Sequence, residues 1–317
     1  MAERKMIINT GQRTDIPAFY SDWFANRLKE GFVCVRNPYF RSQVSRYRLD
    51  PGVVDCIGFC TKNPAPMLRY MDLLKDYGQY WFVTITPYGR DIEPNVPDKN
   101  RVLDCFKKLS DTVGVNSVGW RYDPILITDK YTVDYHLGSF ERMASLLEGY
   151  TETAVISFID LYPKVRRNFP EAVEVTPGDR LLLGKEMVRI ASSHGMTLKP
   201  CAEGDDLAVF GADCGGCMRI SDYEKAIGKH LKAYKKKGAR EACACYLSCD
   251  IGAYNTCLHF CKYCYANADR ELVLASSRMH DPKSPFLTGN YEDGDIINDV
   301  DQKSWALDDN LLNFIDI

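Results

Sequence analysis

Short apolar runs, rich in β-branched and aromatic residues, alternate with longer segments of helical periodicity over the first two thirds of the chain. The short runs predict strands at residues 6–10, 32–36, 53–59, 80–86, 117–128, 154–159 and 196–202. The segments between them predict helices at residues 21–30, 64–77, 98–113, 133–148 and 177–194. Nearly continuous apolar strands that alternate with helices are typical of a parallel sheet covered on both faces. The pattern therefore predicts an α/β fold, and seven such units favour a TIM-like (β/α) barrel or partial barrel over an open sheet.

Helix-end signals support two of these helices. Asp98 follows a proline at the start of one predicted helix, and Thr176 precedes Pro177 at the start of another. Aspartate and threonine cap the first turn by accepting hydrogen bonds from its N–H groups, and proline is favoured within that turn. Gly195 is suited to the end of the last helix, because glycine readily adopts the left-handed conformation found there.

The pattern changes near Cys201 and divides the chain into three regions. Residues 1–204 are predicted to form the barrel core. Residues 205–279 are predicted to form a cysteine-rich, cluster-binding region that completes the barrel, and residues 280–317 an acidic tail.

Two charged stretches have alternative interpretations. The basic run at residues 229–237 is a solvated face or a contact for an anionic substrate. From Phe286 onward the tail contains eight Asp or Glu and one Lys. It is either an acidic appendage or a strap packed through apolar residues, namely Trp305, Leu311, Leu312 and Phe314.

The overall charge excludes little, but several function classes lack their motifs. The 40 basic and 43 acidic residues give no global footprint for nucleic acid. The first ten residues lack the apolar run of a signal peptide, and no stretch approaches the length needed to cross a bilayer. We therefore expect a cytoplasmic protein with no membrane partner. Walker loops, G-x-G-x-x-G, zinc-protease helices and G-x-S-x-G elbows are also missing from the sequence.

The cysteines carry the strongest chemical signal, since nine of the thirteen fall between Cys201 and Cys264. A reducing cytosol disfavours structural disulfides, so such a dense block indicates metal ligation. Cys257, Cys261 and Cys264 have the spacing C-x3-C-x2-C. Three thiolates on one tight loop can hold three irons of a 4Fe–4S cluster and leave the fourth iron without a protein ligand. A zinc site and thiols without metal are the alternatives.

A second set of cysteines suggests another metal. Cys201, Cys217, Cys243 and Cys245 make four ligands, enough for a fully ligated auxiliary 4Fe–4S cluster. A structural zinc at the same four residues, or no second metal, are the alternatives. Cys214 lies in a C-x2-C pair with Cys217 and can replace one of the four. The remaining cysteines are Cys249, which looks spare, and Cys34, Cys56, Cys60 and Cys105, which we predict to be small buried apolar residues.

Several motifs resemble a family catalogued only as a domain of unknown function, whose C-terminal cysteines are similar to the radical S-adenosylmethionine (radical SAM) cluster motif. The match covers nearly the whole chain, and its motifs begin at Thr10 (TGQRTDIP), Thr61 (TKNP), Glu93 (EPNVP), Trp120 (WRYDPI) and Asp250 (DIGAYNTC, continuing to Asn267). The resemblance implies an iron–sulfur protein of barrel type without an assigned reaction. Cys60 departs from it, because a bulky aromatic residue is expected there.

In the radical SAM superfamily the open iron is chelated by the amino and carboxylate groups of SAM. An electron delivered through the cluster then splits a carbon–sulfur bond and gives a 5′-deoxyadenosyl radical. The resemblance implies that Tyr263 is the aromatic residue that packs near the adenine. Spore photoproduct lyase is a distant analogue, because its barrel carries a similar Thr-Lys strand end.

Polar residues at the predicted strand ends complete the expected site. Active sites of parallel barrels lie at the carboxyl ends of the strands. The strand leading into the cysteines is expected at residues 250–255, in a permuted order that places it beside the first strand of the chain. From their strand-end positions we expect Lys62, Arg121 and Asp123 to be catalytic, with Thr84, Thr86, Asp15 and Glu203 contacting the cofactor.

The sequence thus predicts a radical SAM enzyme that cleaves SAM reductively and acts on an unknown small molecule, peptide or nucleobase. Such an enzyme needs an external electron donor such as flavodoxin or ferredoxin. An iron–sulfur redox or sensor protein that does not cleave SAM, and a barrel protein with structural zinc, are the alternative functions.

Overall fold

The computed structural model describes residues 7–232, 245–246 and 249–307. Within these ranges the strands are β1 (Ile7–Asn9), β2 (Phe32–Arg36), β3 (Gln43–Arg48), β4 (Cys56–Thr61), β5 (Gly78–Thr84), β6 (Val118–Ile125), β7 (Thr153–Phe158), β8 (Thr197–Pro200), β9 (Cys249–Asp250) and β10 (Ile296–Asp299). The helices are α1 (Ile16–Phe19), α2 (Ser21–Glu30), α3 (Ala65–Leu68), α4 (Met71–Leu74), α5 (Lys99–Val113), α6 (Val133–Leu147), α7 (Pro163–Asn168), α8 (Pro177–Ser193), α9 (Ile220–Ile227) and α10 (Arg270–Arg278).

Seven strands form one parallel sheet in the order β8-β7-β6-β5-β4-β1-β9. β9, the last of these strands in the sequence, pairs with β1. Ile8 lies opposite Cys249, and Asn9 lies opposite Asp250. The permuted neighbourhood predicted from the sequence is therefore confirmed. The strand itself is shorter and earlier than predicted, since it ends at Asp250.

The sheet is not a closed barrel within the described residues, which corrects the fully closed form of the expectation. β8 and β9 are the two edges. Pro200 ends β8 and has no N–H to donate to a further strand, as is usual for proline at a sheet edge. At the carboxyl edge the connections still meet, because Lys164 Nζ donates to the Tyr265 carbonyl at 3.2 Å.

The two faces of the sheet pack against different partners. Ile57 and Phe59 of β4 face the main apolar core, which is shared with helices such as α2, α5, α6 and α8. The opposite face, here called the inner face, carries Ile7, Cys56, Phe82, Val155 and Cys201. The inner face is covered by Cys217, Met218, Tyr223, Cys245 and Trp305. The cysteine-rich region therefore fills the inner side of the sheet, and in the described chain only β9 extends the sheet itself.

A second sheet was not expected from the sequence. β2 pairs antiparallel with β3, and β3 pairs parallel with β10. The run at residues 32–36 is therefore a strand, as predicted, but it lies outside the main sheet. Of the acidic tail, the described part forms a strap, with Asp295 and Asp299 paired to Arg36 and Arg46. Leu311, Leu312 and Phe314 lie outside the described residues.

The predicted helix ends agree well with the structure. The Asp98 side chain accepts hydrogen bonds from the N–H groups of Asn100 and Arg101, and that of Thr176 accepts one from Asp179. The segment predicted as one helix at residues 64–77 is instead two short helices, α3 and α4. No helix in the described part of the chain is both long enough and apolar enough to cross a bilayer.

Candidate metal centre

Two groups of cysteines lie at the carboxyl edge of the parallel sheet. The first, the cysteine loop (residues 257–264), follows β9. The second, the thiol cluster, comprises Cys201 directly after β8, Cys217 before α9, and Cys245 before β9. Cys243, predicted as a fourth ligand, lies outside the described residues.

The cysteine loop is anchored by the connection between β5 and α5. The Asn95 N–H donates to the His259 carbonyl at 3.2 Å, and the Lys262 N–H donates to the Ile92 carbonyl at 3.0 Å. Phe260 is left-handed, with a φ of 55°, which turns the chain sharply inside the loop. The loop therefore has a defined bend, and backbone hydrogen bonds hold the chain on both sides of it.

Backbone N–H groups point at two of the three loop sulfurs. The Cys257 sulfur accepts from the N–H of His259, and the Cys264 sulfur accepts from the N–H groups of Ala266 and Asn267. Burial raises the pKa of all three thiols. Repulsion by the other loop thiols raises the pKa of Cys257 further, and repulsion by Glu93 and then Cys264 raises that of Cys261. Positive charge is therefore needed to keep them as thiolates together, and a metal supplies it.

A buried carboxylate organises the side chains next to the loop. Glu93 Oε1 accepts from Lys62 Nζ at 2.8 Å and from Thr86 Oγ1 at 2.7 Å. The Tyr263 hydroxyl donates to the same oxygen, and Lys99 Nζ donates to Oε2. Burial alone raises the pKa of Glu93, but the two lysine ammonium groups outweigh it and lower the pKa to about 2. Glu93 is thus an anion that fixes four neighbouring donors.

The pKa values of the two lysines of this network shift in opposite directions. Burial lowers the pKa of Lys99. It acts in the same direction on Lys62, but the charge of Glu93 outweighs it there and raises the pKa of Lys62. The Lys62 ammonium also lies 5.5 Å from the centre of the Tyr263 ring, within cation–π range. Lys62 is therefore a cation beside the aromatic residue of the loop.

Asp15 connects β1, β4 and the cysteine loop. One carboxylate oxygen accepts from the Ala18 N–H at 3.0 Å and caps α1. The other accepts from the Lys62 N–H at 2.8 Å and from His259 Nε2 at 2.9 Å. Asp15 and His259 are both buried. The carboxylate predicted to contact SAM is thus engaged with protein donors and positions the loop.

The thiol cluster is compact. Cys217 Sγ lies 3.5 Å from Cys201 Sγ and 3.1 Å from Cys245 Sγ. The Arg121 guanidinium donates to Cys201 Sγ at 3.5 Å and to Cys217 Sγ at 3.9 Å. Hydrogen bonds from the other two thiols, together with this guanidinium, lower the pKa of Cys201. The hydrogen bond that Cys217 donates raises its own pKa.

Arg121 and Asp123 form an ion pair that borders this cluster. Arg121 Nε lies 3.0 Å from Asp123 Oδ2, and the Ser157 hydroxyl donates to the other carboxylate oxygen. The predicted catalytic trio is therefore divided, with Lys62 beside the cysteine loop and the Arg121–Asp123 pair beside the thiol cluster. Their catalytic roles remain predictions.

The remaining predicted cofactor contacts are also distributed along the edge. Thr86 joins the Glu93 network, and Thr84 ends β5 opposite Arg121. Glu203 accepts from the Phe158 N–H at 2.9 Å and pairs with Arg180 at 3.1 Å, on the side of the thiol cluster. Sequence reasoning missed Glu93 and His259. Glu93 lies in a connection instead of at a strand end, and His259 is one of the spacer residues between two cysteines.

Neither cysteine group stands at metal-binding distances as its side chains are placed. No set of three or more His, Cys, Asp or Glu residues in the described ranges is arranged around an ion position. The cysteine loop nevertheless has the donor set for a cluster. Its three thiols are half-buried, and backbone N–H donors like those described above are among the features that tune protein-bound clusters.

The three sulfurs of the thiol cluster lie closer together than the ligands of a bound 4Fe–4S cube. A cube places each thiolate on a different iron, so its ligands must stand well apart. The sulfur contacts of 3.1 and 3.5 Å join atoms that touch one another directly. The expected auxiliary cluster stays a prediction, because its fourth ligand, Cys243, lies outside the described residues.

Comparison with known protein families identifies the family of this chain but assigns no activity. No curated protein matches the chain. A family model described as a domain of unknown function, DUF1848, matches residues 7–266, which include the main sheet, the thiol cluster and the whole cysteine loop. This chain therefore belongs to the DUF1848 family.

Proposed function

We propose that this protein is a radical SAM-type iron–sulfur enzyme whose cluster is held by Cys257, Cys261 and Cys264. The observation that carries the proposal is the position of the cysteine loop. It follows β9, a strand that neighbours β1, and so enters the carboxyl edge where active sites of parallel α/β folds lie. Three thiolates bind three irons and leave the fourth for an exchangeable ligand.

When bound and reduced, the cluster with SAM supplies a 5′-deoxyadenosyl radical by carbon–sulfur cleavage. The residues of the chain support the cysteine loop and orient the side chains beside it. His259, fixed by Asp15, supports the bend between the first two cysteines. Glu93 fixes the Tyr263 hydroxyl and the Lys62 ammonium. The ring beside the third cysteine is thereby set in one orientation, as expected of a residue that packs against an adenine.

Lys62 is the best candidate for contact with the carboxylate of SAM or with an anionic substrate. It lies beside Tyr263 and is close enough to Cys261 for its charge to act on the thiol. Arg121 and Asp123 are farther round the edge, and we propose that they border the substrate side. An external electron donor of the flavodoxin or ferredoxin type remains part of the proposal.

The test is anaerobic reconstitution with iron and sulfide, followed by reduction in the presence of SAM. We expect 5′-deoxyadenosine from the wild-type protein, and none from Cys257→Ala, Cys261→Ala or Cys264→Ala, each of which also loses one cluster's iron. Cys105→Ala, a half-buried thiol of α5, is the matched control and should keep both iron and product.

Two results would contradict the proposal in different ways. Bound iron without any 5′-deoxyadenosine would favour a redox or sensor protein. Zinc in place of iron at the cysteine loop would favour a structural metal site.

A further inference from the structure

The thiol cluster is built from three distant parts of the chain. Cys201 lies at the end of β8, Cys217 on the segment covering the inner face, and Cys245 shortly before β9. All three are buried, at 8, 2 and 4% exposure. A contact of three buried thiols from separate segments is a site that folding brings together, and local chain geometry alone does not explain it.

The sulfurs of the thiol cluster need to separate only slightly to hold one ion. Tetrahedral zinc with Zn–S bonds of about 2.3 Å holds its thiolates about 3.8 Å apart. The observed separations of 3.1 and 3.5 Å reach that value if the sulfurs move apart by about 0.7 and 0.3 Å. The adjoining cavity, lined by Cys217, Cys245 and Glu203 among others, has a volume of about 30 Å³. That is room for one or two water molecules.

Arg121 supplies hydrogen bonds and a positive charge, both of which a buried metal–thiolate site needs. Its guanidinium donates to two of the sulfurs and is held in place by Asp123. Donors that hydrogen-bond to metal ligands orient them and offset their charge. Three thiolates around one divalent ion leave a net negative charge, which the adjacent guanidinium balances in a buried setting.

We propose that Cys201, Cys217 and Cys245 bind a single divalent metal ion of the zinc type. Soft thiolate ligands in tetrahedral array select zinc, and a water or a further side chain completes the tetrahedron. The ion joins the end of β8 to the segment entering β9. β8 and β9 are the two edge strands of the main sheet and do not pair with each other within the described residues. The metal therefore links the two edges that no backbone hydrogen bonds join in that part of the chain. The site stands whether or not the cysteine loop cleaves SAM.

The experiment is metal analysis of the full-length protein, reconstituted anaerobically with iron, sulfide and zinc together. The wild type should hold one zinc and one cluster's iron. Cys217→Ser should lose the zinc and keep the iron, whereas Cys257→Ser should lose the iron and keep the zinc. Cys105→Ser should keep both. Because the two metals are counted separately, failure of SAM cleavage does not affect this result.

Two outcomes would overturn the zinc site. One is a wild type that holds two clusters' iron, half of which disappears in Cys217→Ser. The other is zinc that survives both Cys201→Ser and Cys217→Ser. Should these variants fail to fold, the wild type with its iron–sulfur cluster in place is stripped of zinc and titrated with Co²⁺ alone, so that the cysteine loop cannot take the cobalt. Intense cobalt–thiolate absorption supports the site, and its absence refutes it.

Discussion

Glu93→Gln is the most informative perturbation of the site, because one buried carboxylate holds Lys62, Lys99 and Tyr263. The Glu93 side chain is fully buried, and those of Lys62 and Lys99 are 13 and 23% exposed. Solvent therefore screens these ion pairs little. Glutamine keeps the shape but leaves two buried ammonium groups without their counterion.

Two arguments give the same magnitude for this change. Removing one partner of a buried ion pair costs about 3–5 kcal/mol. Lowering the pKa of Glu93 from 4.5 to about 2 corresponds to about 3 kcal/mol of stability. We therefore expect Glu93→Gln to reduce the free energy of unfolding by about 3–5 kcal/mol at pH 7.

The pH dependence has a definite sign. A carboxylate whose pKa is depressed in the folded state contributes its stability above the unfolded pKa, and that stability is lost as the pH falls through the folded pKa. The difference between wild type and Glu93→Gln should therefore shrink as the pH falls from 4.5 towards 2.

The assay is urea unfolding followed by circular dichroism at several pH values. Glu186→Gln is the control. Glu186 and its partner Arg189 are 28 and 66% exposed, so solvent screens this pair, and the change should alter stability by less than about 1 kcal/mol. The reasoning fails if Glu93→Gln matches this control at pH 7, or if its deficit is as large at pH 3 as at pH 7.

Two further predictions concern the frame of the site. Gly11→Ala places a Cβ against the backbone carbonyl of Cys60, so we expect the free energy of unfolding, measured in urea, to fall by about 1–3 kcal/mol. Gly138→Ala meets open space in α6 and should be neutral or stabilising. Equal effects of the two changes would contradict this prediction. Arg36→Met removes the cation paired with the Asp295 carboxylate and should speed amide hydrogen exchange across β10. Arg41→Met should not, because the Arg41 side chain is 75% exposed. Unchanged exchange in Arg36→Met would show that other contacts hold the strap.

The sequence predicts most of the main sheet because its strands are apolar on both faces. Strands β4 to β8 and helices α2, α5, α6 and α8 lie close to their predicted positions. β9 was placed correctly beside β1 only through the cysteine motif, because two residues carry no periodicity. β3 and β10 are not predicted, since β3 has only two apolar residues, three positions apart, and β10 is wholly exposed.

The sequence predicts the part of the site whose residues are close together in the chain, because they form a motif. It does not predict contacts between residues that are distant in the chain. Thiols spaced three and two residues apart reveal the cysteine loop directly. Glu93 begins one of the family motifs, but the motif does not show its partners, because Lys62, Lys99 and Tyr263 approach it from other elements. Arg121 was singled out at a strand end, but the sequence gave no indication that its partners would be Cys201 and Cys217.

The pairing of β1 with β9 also constrains how the protein can be made. β1 leaves the ribosome early, but its outer neighbour is about 240 residues further along the chain. At 5–20 residues per second, that interval is roughly 10–50 s. Throughout it, the edge of β1 offers unpaired backbone groups to any other nascent strand. Slower synthesis of the last third should therefore raise the aggregated fraction more than slower synthesis of the first, and chaperones that shield open strand edges should matter most late in translation.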